Sequence, residues 1–264
     1  MENIIFFIKF AVDLTFNQTN LFYLILSFLM NKFIRTLTVT YDFDLEPKEI
    51  PKFRGAVISS FGGNANLLYH NHVDDSKLRY SYPLIQYKRL GNKAAIICIE
   101  EGTDTIGQFV GNTPETINIG ERSVMLKTMR ITPARILVQI WNSMFEYKIS
   151  RWLPLNPSNY RTYQATESIA ERIQMLEKIL RSNILSMLKG LGIWLEEELK
   201  VSITDISKPY KIYNKGVALM AFDASFISNI SIPDNLGIGK NASIGYGTVY
   251  QKKKSKLNIE DGTK

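Results

Sequence analysis

An α+β fold in two consecutive halves is what the sequence predicts, and three observations carry it. Strand-like runs of period two alternate with helical runs of period three to four along the 264 residues. The first half reads strand, helix, hairpin, helix, strand, and the second half takes up that order again. The strongest apolar stripe, Ile169, Ile173, Leu176, Leu180, Ile184 and Met187, belongs to a long helix inside the second half. Halves of about a hundred residues with this order suggest paired ferredoxin-like domains, 30–133 and 134–252, although period alone also allows one irregular α+β domain. With 45% apolar residues the chain can bury a substantial core.

Each element has its own signal. From Phe33 to Tyr41, Thr36, Thr38 and Thr40 alternate with Leu37, Val39 and Tyr41, the pattern of a half-buried strand. Ile50 to Phe61 reads as a short helix, with Pro51 in its first turn and Gly62-Gly63 at its end. Leu78 to Leu90 and Lys93 to Ile99 read as strands joined by a Gly91-Asn92 turn. Thr103 to Val110 is a second short helix, and Ser123 to Ile131 the closing strand. Arg135 to Ile149 opens the second half as a strand, followed by a loop at Pro154, Pro157 and Asn159. Ser168 and Glu171 form a capping box for the long helix, which Gly190 ends. Ile193 to Ile206, Val217 to Ile227 and Thr248 to Gln251 are the last expected strands.

The formal net charge of +7 and pI near 9.3 favour a polyanionic partner without naming one. A single cysteine, Cys98, has no internal disulfide partner and sits in an apolar run, which fits core packing and a reducing cytoplasm. The apolar runs at Ile4–Ile8 and Leu21–Met30 are too short to span a bilayer, and the start lacks a basic region and a cleavage site. No membrane association is expected. Residues 1–29 are expected to be an upstream extension before a start at Met30, with a short amphipathic helix as the alternative, and 253–264 a basic tail.

Two local patterns remain that periodicity does not explain. Gly237-Ile238-Gly239-Lys240-Asn241-Ala242-Ser243-Ile244-Gly245-Tyr246-Gly247 places glycines where close backbone approach or positive φ is needed. It makes a candidate phosphate cradle that is neither a Walker loop nor a dinucleotide fingerprint, because a strand-like run follows it. A glycine-rich hairpin without a ligand is the competing reading. The other pattern is Tyr69-His70-Asn71-His72, which holds both histidines of the chain. Histidine gives and takes protons near neutral pH, so such a pair can supply a general base and a general acid, and positions two apart share a face if the segment is extended. A metal site with Asp74 and Asp75 is an alternative, although the spacing matches no closed zinc motif. Two surface histidines with local hydrogen bonds are another.

The two glycine pairs near the carboxyl terminus, together with the Phe33 strand, Pro51-Lys52-Phe53-Arg54-Gly55-Ala56 and the paired histidines, resemble the CRISPR-associated repeat endoribonucleases. This is the Cas-six group, and the similarity is to its b-type subgroup, over Met30 to Gln251. The resemblance implies two RNA-recognition-like folds and a metal-independent cut of CRISPR repeat RNA in the precursor transcript. One group takes the proton of a ribose 2′-OH, which attacks the neighbouring phosphorus, and another protonates the departing 5′-oxygen. The products are a 2′,3′-cyclic phosphate and a 5′-hydroxyl. Carried over by position, His70 and His72 are the catalytic residues, and Gly237, Gly239, Lys240, Gly245 and Gly247 the RNA-binding loop. The resemblance implies no cofactor, names CRISPR repeat RNA as partner, and leaves open a CRISPR effector complex and a homodimer.

Tyr69, Tyr80 and Lys52 are candidates for the tyrosine and lysine that often accompany the histidine in the wider group. Lys88, Arg89, Arg122, Lys127 and Arg130 are expected on a solvated or phosphate-contacting face. Valine at Gly245 or Gly247 is expected to cost RNA binding more than folding. The rival of another class is a catalytically silent RNA-binding module with the same folds and loop.

Overall fold

The computed structural model describes residues 33–60, 72–74, 77–78, 82–111, 114–214 and 216–252. The expected extension 1–29, the start at Met30 and the tail 253–264 lie outside the described residues.

Strand β1 (Phe33–Asp44) turns Val39, Tyr41 and Phe43 into the core. A 3-10 turn at Pro47–Glu49 leads into α1 (Ile50–Ser59), which buries Ile50, Phe53 and Val57 at helical spacing. Strands β2 (His72–Asp74) and β3 (Lys77–Leu78) pair with each other. Then come β4 (Ile85–Leu90) and β5 (Lys93–Ile99), turned at Gly91 with φ 61°. The expected strand from Leu78 is therefore interrupted: Pro83 has no N–H to give a ladder, and β4 starts after it. Helix α2 (Glu101–Gly111) is followed by a hairpin of β6 (Thr116–Ile119) and β7 (Arg122–Met125), and then β8 (Thr128–Leu137). The single strand expected over Ser123–Ile131 is thus two, and residue 134 lies within β8.

The second half holds β9 (Ile140–Trp152), α3 (Pro157–Ala165), α4 (Ile169–Gly190), β10 (Val201–Ile206), β11 (Tyr210–Asn214), β12 (Val217–Ile230) and β13 (Thr248–Gln251). The expected loop at Pro157 and Asn159 is instead α3. Pro157 starts it, and Asn156 caps it by accepting from the Asn159 N–H at 2.7 Å. In α4, Ser168 accepts from the Glu171 N–H, and Leu176, Leu180, Ile184 and Met187 are buried as expected. Ile169 is 73% exposed, because the first turn overhangs the core. The strand expected from Ile193 begins only at Val201; before it, the Asn229 side chain accepts from the Lys200 N–H and donates to the Glu198 carbonyl in place of a ladder. Strand β11, not anticipated, pairs with β12.

Both sheets have one plan. The first runs β4-β5-β1-β8 and the second β10-β12-β9-β13, with all these pairs antiparallel. Numbered within its own half, each reads second, third, first, fourth, the order of tandem ferredoxin-like folds. In each, the third and fourth strands flank the first and run parallel to each other, so their connection must cross the sheet. In the first half α2 makes that crossing. In the second, residues 231–247 make it with no α-helix, only a 3-10 turn at Ala242–Ile244.

Strand β5 explains how the halves join. Ala94, Ile96 and Cys98 face the core under α1 and α2, whereas Ile97 and Ile99, with Ile34 of β1, enter the core of the second half beside Trp152, Leu180 and Phe222. Both faces of β5 are buried, which is why it reads as an unbroken apolar run.

Candidate functional site

The glycine segment lies against β4 of the first half. On β4, Ile85 and Tyr87 point into the first core, so period two aims Gln86 and Lys88 at the second half. Gln86 Oε1 accepts from the Gly237 N–H at 2.9 Å, and the Tyr82 hydroxyl donates to the Gly237 carbonyl at 2.8 Å. Lys88 Nζ donates to the Ala242 carbonyl at 3.0 Å and to Thr248 Oγ1 at 3.3 Å. Within the loop, the Ile238 N–H donates to the Gly247 carbonyl at 2.8 Å and the Gly247 N–H to the Arg151 carbonyl at 3.2 Å.

These contacts state what the glycines are for. Gly239, Gly245 and Gly247 have φ of 88°, 81° and 60°. A Cβ at Gly237 would lie 2.7 Å from the Ala242 carbonyl oxygen, at Gly245 2.6 Å from Ile50 Cδ1, and at Gly247 2.0 Å from the Ile238 carbonyl oxygen. Close approach is thus real, but at all four glycines it is the approach of protein to protein, since a Cβ at Gly239 would lie 2.7 Å from Asn183 Oδ1. Gly237, Gly245 and Gly247 are buried and Gly239 is half-buried, while Lys240 is exposed at the crest.

Arg151, with φ 52°, stands behind the loop. Its guanidinium lies 4.6 Å from the centre of the Tyr246 ring, and its N–H donates to Asp223 Oδ1 at 2.7 Å. Tyr210 also donates to that carboxylate oxygen at 2.9 Å, and burial, followed by this hydrogen bond, raises the phenol above its ordinary range.

Lys88 is a correction to the expected basic face, because it is buried rather than solvated. Burial, with the Arg151 charge adding to it, pushes the ammonium down to about 7. An unfolded lysine keeps its proton to about 10.4. Between those values the unfolded chain therefore binds more protons than the folded one, and stability rises with pH by up to about 1.4 kcal/mol per pH unit from this group. In urea unfolding, wild type is expected to gain on Lys88→Met as pH rises from about 7 to about 9. A difference independent of pH would contradict a titrating Lys88. Arg122 is also engaged, with Glu49 at 3.0 Å and the Asp44 carbonyl at 2.9 Å, whereas Arg89, Lys127 and Arg130 are exposed as expected.

His70, Tyr69 and Tyr80 lie outside the described residues. His72 opens β2, where the described backbone pairs it with Leu78. Lys52 is exposed on α1, its side chain against Gly120. Sequence reasoning missed Tyr82, Gln86 and Arg151. The Gln86 and Lys88 alternation looks like a solvent face until a second half covers it, and nothing in the sequence marks a positive φ at Arg151.

An N-terminal domain model of the Cas6b family matches residues 32–136, and its C-terminal domain model matches 139–252. A solved structure described as Cas6b is 26% identical, with a TM-score of 0.76, over 83% of this chain and 100% of that one. Another, described as the CRISPR RNA processing endoribonuclease Cas6b, is 25% identical with a TM-score of 0.65 over the same shares. An uncharacterized protein of Methanocaldococcus jannaschii is 39% identical over 110 residues, 41% of this chain and 74% of that protein. With both domains matched in order and the tandem fold shared, the chain belongs to the Cas6b family.

Proposed function

We propose that this protein is a metal-independent endoribonuclease that cuts CRISPR repeat RNA within the precursor transcript. The observation that supports it best is the match of both Cas6b domains together with the likeness, over the full length of the other chain, to a structure described as a CRISPR RNA processing endoribonuclease. In this proposal His70 and His72 divide the base and acid roles, releasing a 2′,3′-cyclic phosphate and a 5′-hydroxyl.

The glycine loop contributes by shape. Gly237 and Gly245 let it pack against β4 and α1, Gly247 against its own Ile238 and Gly239 against Asn183 of α4, which leaves the exposed Lys240 as the part that meets RNA. Lys240 supplies an exposed cation for a phosphate, a contact that sets position rather than sequence. The test is incubation of the purified protein with repeat RNA in excess EDTA. Cleavage at a single site is expected. Cleavage that appears only after a divalent cation is restored would remove metal independence, and binding without any cleavage would favour the silent binding module.

A further inference from the structure

A cleft of about 370 Å3 opens beside the glycine loop, between the segment that enters α3, one face of α4 and Lys240. Its floor is apolar, from the buried Leu153 and Pro154 and the half-buried Ile179. Lys178, Lys240, the Ser182 hydroxyl and the side-chain amides of Asn156, Asn159 and Asn183 supply its polar groups, and no acidic residue among the described residues lines it. Lys178 and Lys240 have no ion-pair partner among the described residues.

The hydrogen bonds at the cleft fix its polarity. The Trp152 indole N–H can only donate, and at 3.1 Å it donates to Asn183 Oδ1, so the Nδ2 group of Asn183 is the half left for a ligand. Asn156 Oδ1 accepts from the Asn159 N–H at 2.7 Å, which leaves its Nδ2 likewise. The donor halves of Asn183 and Asn156 and the two lysines therefore stand over an apolar floor, and the N-terminus of α3 adds the positive end of its dipole. Such a site suits a ligand with an anionic group, a flat apolar body and an edge rich in acceptors.

We propose that this cleft is a subsite for one unpaired nucleotide of the RNA, with Lys178 and Lys240 on its phosphate and the amide donors of Asn183 and Asn156 on its base edge. It rests on the proposed RNA-cleaving function and adds to it a place where sequence is read. The free halves of Asn183 and Asn156 donate, so the base meets them with acceptors, as guanine can through O6 and N7 or uracil through its carbonyls.

The test compares wild type, Asn183→Asp and Lys178→Ala in binding repeat RNA and a set of the same RNA with single abasic positions. Asn183→Asp keeps an oxygen for Trp152 and replaces the donor with a carboxylate. It is expected to weaken repeat binding at least about tenfold and to lose the sensitivity that wild type shows at one unpaired position. Lys178→Ala, at an exposed site without an ion-pair partner among the described residues, is expected to lower the salt slope of binding by about 0.7. It keeps the question answerable if Asn183→Asp does not fold. Wild-type affinity and salt slope in the variants that fold, with an unchanged abasic profile, would overturn the subsite while leaving the RNA-cleaving function standing. Failure of wild type to bind repeat RNA would overturn both.

Discussion

Alanine at His70 or at His72 is expected to slow single-turnover cleavage of repeat RNA by at least about a hundredfold, with repeat affinity largely kept. A positioned general acid or base contributes about a hundred- to ten-thousand-fold to such a step. The loss should appear in the chemical step, because the imidazoles act on protons that move only in the transition state. The losses should also be non-additive. Removing the base and then the acid disables one proton-transfer system, so the double variant should be far less impaired than the product of the single losses predicts. Single-turnover rates at saturating protein check this, in preparations shown free of contaminating ribonuclease. A double-alanine protein that cuts at the wild-type rate would end the assignment of this pair, which contains both histidines of the chain.

Valine at Gly247 is expected to cost at least about 3 kcal/mol of folding stability, because it combines a strained backbone with a backbone collision. The φ of 60° is unfavourable for a β-branched residue, and the added Cβ would lie 2.0 Å from the Ile238 carbonyl oxygen. The obstacle is backbone, so no rotamer change relieves it. The same move would disturb the Ile238 to Gly247 and Gly247 to Arg151 hydrogen bonds that close the loop. Here the geometry reverses the expectation from sequence that binding would suffer more than folding. Gly55 on α1 is the control: a Cβ there meets nothing within 4 Å. Gly55→Ala should be neutral or stabilising, by up to about 1 kcal/mol. Urea unfolding of both variants measures the contrast, and a Gly247→Val protein as stable as wild type would contradict the packing role.

The parts legible in the sequence are those where one periodicity meets one buried face. Strand β5 and strand β13 fall at the expected residues, and α4 keeps its cap at Ser168 and its stripe through Met187. The long-range parts were not legible. Gln86 and Lys88 become interior groups only when the second half covers β4, a fact that no local window contains. Helix α3 was hidden because proline, a loop signal, also starts helices when an asparagine caps them.

The site divides along the same line. The glycine positions were found because backbone geometry restricts them strongly, but their partners across the halves were not. The pattern Gly-Ile-Gly and Gly-Tyr-Gly demands close approach without saying whether a phosphate or a carbonyl comes near. At Gly247 it is the Ile238 carbonyl. Lys240 is the exposed cation of the loop, and its contact with RNA belongs to the proposed function.

The central claim is that the RNA supplies its own nucleophile. The most direct measurement is cleavage, in excess EDTA, of repeat RNA bearing one 2′-deoxy substitution on the 5′ side of the cut, with the product ends of the unmodified RNA determined by mass spectrometry. Loss of cleavage at that position alone, and a 2′,3′-cyclic phosphate or 3′-phosphate opposite a 5′-hydroxyl in the unmodified digest, is the predicted result. Undiminished cutting of the deoxy substrate, or a 5′-phosphate on the product, would contradict it.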